Sequence, residues 1–207
     1  MKFPARAVVA ASTLLLISAA AAANDPARKN GNMDVQSVIE SWPAESKKAA
    51  QKMIQKYGQP EELTASMLVW RGNGPWKKTV VSKEEVEHRF PAPHKDVLEQ
   101  IVDYKVPADK FDELAMYDGS VIAERTKGEL SARCDMEEAN ILALNLADEV
   151  ATGKRSVEDA RKFYGEQIML LKKGQSSPYL SKLRFDADQR TADADRPLAM
   201  KQASAEE

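Results

Sequence analysis

From Asp135 to Val150 apolar residues recur at helical spacing more regularly than anywhere else in the chain. Ala139, Leu142, Ala143, Leu146, Ala147 and Val150 occupy i, i+3, i+4 and i+7 positions, and Ile141 and Leu144 widen the stripe. A helix this apolar has to be covered, so the rest of the fold must be arranged around it. Asp135, with Glu138 three residues on, forms a capping-box-like start, and Gly153 supplies the stop. Ser156 then caps a second helix whose inner face is Val157, Ala160, Tyr164, Ile168 and Leu171. Lys172 and Lys173 sit at its negative end before Gly174 closes it. The short connection predicts an antiparallel helical pair.

Upstream the pattern is mostly extended. A first helix is expected over Ala44–Tyr57, with Pro43 in its opening turn, Ala49, Met53, Ile54 and Tyr57 on one face, and Gly58 after its end. Thr64–Trp70 and Trp76–Ser82 flank the turn chemistry of Arg71 to Pro75 and predict a hairpin. Pro91 and Pro93 break up the following stretch, and Val102–Val106 alternates as a half-buried strand. Pro107–Tyr117 suits a short helix. Val121–Thr126 and Glu129–Cys134 form a second hairpin across Lys127-Gly128. Hairpins without strand–helix–strand alternation predict an α+β fold: a small, mainly antiparallel sheet of two hairpins plus a strand, packed with an N-terminal helix and a C-terminal antiparallel helical hairpin.

The ends differ from this middle. Lys2 and Arg6 precede an uncharged run centred on Leu14–Ile17 and closed by Ala21-Ala22-Ala23, the pattern of a secretory signal peptide cleaved after Ala23. That run is short for a bilayer crossing, which needs about 20 apolar residues. Residues 24–37 are expected as a disordered leader, 38–185 as a single domain, and 186–207 as a disordered acidic tail. The net charge is −2, and −4 once Lys2 and Arg6 leave with the signal. With the charges interspersed, no basic face marks a nucleic-acid partner, and stable membrane insertion after cleavage is not expected. Cys134 is the only cysteine, so no internal disulfide staples the domain and an apolar core must stabilise it.

The chain contains no phosphate-binding loop, no dinucleotide fingerprint, no zinc-protease motif and no serine-hydrolase elbow, so no nucleotide cofactor is expected. Candidate sites are few. His88 and His94, the only histidines, bracket a Pro-punctuated loop that lowers the entropy of presenting both imidazoles. Zinc or copper suits such ligands, with Cys134 or a carboxylate such as Glu85 or Glu87 completing a site; the alternative is a pair of solvated loop histidines. Cys134 precedes a helix start, which favours thiolate, but it alternates with Leu130 and Ala132 and reads as a small buried hydrophobe. Trp70 and Trp76 flank the Gly-rich turn and can stack on a ligand, or else pack into the core.

The segments Lys56-Tyr-Gly-Gln-Pro60, Gly74-Pro-Trp-Lys77 and Tyr117-Asp-Gly-Ser120 resemble an uncharacterised family of exported bacterial proteins. The resemblance spans most of the expected domain and implies an envelope location without an activity. The function expected from sequence is a non-enzymatic binding module of the bacterial envelope, using Trp70, Trp76, His88 and His94 toward an envelope protein or small ligand. A periplasmic copper or zinc protein built on His88, His94 and Cys134 is the second reading. A hydrolase or redox enzyme whose residues converge only in three dimensions is the third.

Overall fold

The computed structural model describes residues 34–187 and 190–196. The expected signal peptide lies outside them, as does the leader up to residue 33. Six strands form one sheet in the order β1-β2-β3-β4-β6-β5, every neighbouring pair antiparallel. They are β1 (Glu62–Leu63), β2 (Met67–Asn73), β3 (Trp76–His88), β4 (His94–Asp103), β5 (Val121–Glu124) and β6 (Glu129–Cys134). The helices are α1 (Val35–Glu40), α2 (Ala44–Tyr57), α3 (Phe111–Tyr117), α4 (Glu137–Ala151), α5 (Val157–Lys172) and α6 (Pro178–Ser181), with a 3-10 turn at Ala108–Lys110. The α+β class expected from sequence is thus what the chain adopts.

Register and alternation set one face of this sheet. Leu68 pairs with Val81, Val81 with Leu98, Leu98 with Cys134, and Val102 with Leu130, so these side chains share a face with Trp70, Gln100 and Ala132. Two apolar clusters form on it. Val35, Ile39, Trp42, Ala49 and Met53 of α1, α2 and their connection pack with Leu68, Trp70, Val81 and Leu98. The second cluster joins Leu142, Leu146 and Val150 of α4 and Tyr164 of α5 to Val102, Leu130 and Ala132. Thirteen of the fifteen α4 residues are buried, as a helix covered on nearly every side must be.

Several boundaries depart from the sequence reading. The leader expected through residue 37 gives way to α1, which Asp34 caps through Ser37 N–H at 3.1 Å and which buries Val35 and Ile39. Pro91 and Pro93 connect β3 to β4 as a hairpin. Of the strand expected at Val102–Val106 only Val102 and Asp103 are extended, as the end of a longer strand beginning at His94, while residues 104–106 lie beyond it. Asp135 does not cap α4, since its carboxylate accepts from Cys134 Sγ at 3.4 Å and Met136 takes the N-cap position without a side-chain bond. The tail expected to be disordered is docked over its described part. Thr191 is buried and donates to Gly128 O at 2.5 Å, while Arg125 pairs with Asp193 and Asp195.

Candidate metal centre

His88 ends β3, His94 begins β4, and the two face each other as cross-strand partners with ring centroids 4.8 Å apart. Asp96 stands two residues beyond His94 and therefore points to the same side of the strand. Helix α5 pins the connecting loop: Phe90 lies against the Tyr164 ring at 5.2 Å and under the Arg161 guanidinium at 3.8 Å. Arg161 also donates to Tyr117 O at 2.5 Å, which ties α5 to the end of α3.

Three buried polar atoms meet in this corner. Asp96 Oδ1 lies 3.4 Å from His88 Nδ1 and 3.2 Å from His94 Nε2, and all three atoms fall within 4.8 Å of one another. None of them has a hydrogen-bond partner, although all are buried and Asp96 is only 7% exposed. An unpartnered buried polar atom costs about 1–3 kcal/mol, so three in one place need a physical reason. Metal–ligand bonds of about 2.0–2.1 Å at tetrahedral angles place donor atoms about 3.3–3.4 Å apart. Both Asp96 contacts are close to that spacing.

The outer contacts also suit ligation. His94 Nδ1 lies 2.8 Å from Ala92 O, a group that can only accept, so Nδ1 carries the hydrogen and Nε2 is the nitrogen left to face Asp96. His88 turns its other nitrogen, Nε2, toward Asp118 Oδ1 at 3.6 Å. Asp118 is in turn held by the Ser120 N–H and hydroxyl at 2.9 and 2.8 Å. Burial pushes the Asp118 carboxyl above its usual range, against those two hydrogen bonds. Burial works against charge on His94, but Asp96, Cys134 and the Ala92 carbonyl outweigh it and push the imidazole up to about 11. A divalent cation at the three donors would take the place of that proton.

The chain matches no family model, no curated protein and no solved structure.

Of the residues singled out from sequence, His88 and His94 are brought together, Cys134 lies beside His94 without joining the donors, and the others stand apart. Cys134 is buried at the end of β6, and burial pushes its thiol up despite the nearby His94. It is not one of the three mutually close donors. Glu85 accepts from the Glu45 and Ser46 N–H groups at 3.0 and 3.3 Å and so caps α2. Glu87 pairs with Lys95 on the strand surface. Trp70 and Trp76 are 2% and 1% exposed, so the aromatic surface expected on their hairpin is core instead. Their indole N–H groups donate inward, to Gly58 O at 3.0 Å and to Glu137 at 2.6 Å. The third donor, Asp96, went unread because Lys95-Asp-Val-Leu-Glu99 looks like any amphipathic strand; a carboxylate two residues from a histidine was the only signal.

Beside the corner lies a cleft of about 290 Å³, walled by His94, Cys134 and Tyr164, by Pro91 and Pro93 of the loop, and by Met136, Ile168 and Leu171. Ala139 and Lys172 also line it.

Proposed function

We propose that the protein binds a divalent first-row transition cation through His88 Nδ1, His94 Nε2 and Asp96 Oδ1. The observation that carries this is the convergence of three buried, unpartnered donor atoms, with Asp96 Oδ1 at near-tetrahedral spacing from both imidazole nitrogens and all three within 4.8 Å. Two imidazoles and one carboxylate form a borderline donor set suited to zinc and also acceptable to copper. The competing account is a permanent ion pair between His94 and Asp96. It leaves His88 Nδ1 unpartnered and gives neither imidazole an aligned hydrogen bond to the carboxylate.

The interaction-module reading loses the exposed Trp70 and Trp76 on which it relied, so the metal reading leads. The export expected from residues 1–23 would set the site in the cell envelope, where nitrogen and oxygen ligands have no thiol to oxidise.

Calorimetry on metal-stripped, untagged chain is expected to show one Zn²⁺ or Co²⁺ bound per chain. At a free-metal concentration about 100 times Kd, binding stabilises the fold by about 2.7 kcal/mol, read as a higher Tm. Asp96→Ala and His94→Ala should remove both effects. An unchanged Tm and no heat of binding with zinc, cobalt or copper would sink the proposal.

A further inference from the structure

We infer that the cleft beside the metal corner admits a small ligand with an anionic, metal-coordinating head and a short apolar chain. This rests on the metal reading, because the head needs the cation. Three protein donors leave at least one coordination position open, the arrangement that distinguishes metal sites that receive a ligand from closed structural ones. Cys134, which neighbours His94, lies outside the close group of donors. His94 belongs both to the donor set and to the cleft wall, so the two spaces adjoin at its ring.

The cleft's shape and lining select the ligand. Its volume of about 290 Å³ sits at the lower end of the roughly 300–1,000 Å³ usual for small-molecule pockets. Pro91, Pro93, Met136, Ile168 and Leu171 present almost only carbon and sulfur, which suits a short hydrocarbon chain rather than a sugar or peptide. A divalent cation neutralised by one carboxylate keeps a positive charge, which favours an anionic head. On the cleft wall Lys172 is balanced by Asp135, so the cation is what selects the head's charge.

Simple hydroxamates probe this directly, since their heads bind such metals and their chain length can be varied. The Co²⁺-loaded full chain is titrated with acetohydroxamate and with hexanohydroxamate, followed by the cobalt visible absorption. Each methylene buried in the cleft should tighten binding about fourfold. With four extra methylenes, hexanohydroxamate is expected to bind at least about tenfold tighter, even with its chain half-buried. Ile168→Asp and, independently, Met136→Asp should bring the two affinities together while cobalt still binds one to one. Lys172→Glu should weaken both hydroxamates severalfold. Equal affinities for the two chain lengths on cobalt-loaded protein would overturn this inference and leave the metal site standing. Failure of cobalt to bind would overturn both.

Discussion

Glu137 opens α4 and is 5% exposed, yet its carboxylate serves donors from three other elements. Its Oε1 accepts from Tyr57 Oη at 2.5 Å, from Trp76 Nε1 at 2.6 Å and from Gln100 Nε2 at 3.2 Å, while Oε2 pairs with Lys56. Glu137→Ala would strand the indole N–H of Trp76 and the amide of Gln100, both buried, at about 1–3 kcal/mol each. Lys56 adds little, because its side chain is 55% exposed and can turn to water. The expected loss is about 3–5 kcal/mol, the range found when one partner of a buried charged cluster is removed. Glu137→Gln keeps an acceptor oxygen but loses the charge, so each of three charge-assisted bonds becomes a neutral one, for about 1–3 kcal/mol in total.

The sign of the pH dependence follows from the same contacts. Burial raises the Glu137 carboxyl, but Lys56, Tyr57 and Trp76 outweigh it and hold the group below its ordinary 4.5. A carboxyl lowered in the folded state contributes stability that is fully present above its unfolded pKa and lost as pH falls through the folded one. Urea unfolding read by tryptophan fluorescence at pH 7 should therefore show wild type well above Glu137→Gln, with the gap closing once pH drops below about 4.5. A Glu137→Ala variant within about 1 kcal/mol of wild type would refute the reasoning. So would a gap to Glu137→Gln that stays the same in acid.

Two further outcomes are expected. Gly128 holds φ +65°, and a Cβ there would lie 2.2 Å from the Thr191 backbone, so Gly128→Ala should lift the docked tail segment. Its cost should be about 1–3 kcal/mol, from left-handed strain plus the lost Thr191 bond, with faster proteolysis beyond residue 187 as the check. Cys134, buried and with its thiol pushed up by burial, should resist alkylation at neutral pH until denaturant is added; rapid labelling of the native chain would contradict its placement.

The helices were legible because their signals are local. Ala44–Tyr57 matches α2 at both ends, and Ser156 caps α5 through the Asp159 N–H at 3.1 Å, as its spacing predicts. The hairpin around Gly72 and Gly74 was equally visible, both glycines adopting positive φ. What was missed depends on distant chain. The run Lys83-Glu-Glu-Val-Glu-His88 is too polar to read as strand, and it becomes one only because β4 supplies its partner. Helix α1 and the Thr191 segment have little stripe of their own, and each is ordered by a surface formed elsewhere, α2 with the sheet for one and the β5–β6 turn for the other. The same holds for the site. Two histidines flanking a rigid loop were visible, but Asp96 became distinguishable only once its burial and its two imidazole neighbours were known.

All three proposed donors lie between positions 88 and 96, on two strands joined by one loop. The donor set is therefore a matter of counting residues as much as of choosing them. Inserting one residue among 89–93 would leave every donor residue in the chain. Yet if β4 slipped by one position along β3 to absorb it, His94 and Asp96 would turn to the opposite side of the sheet, away from His88. Loop length, which ordinarily drifts without consequence, is in this hairpin as constrained as the ligands themselves.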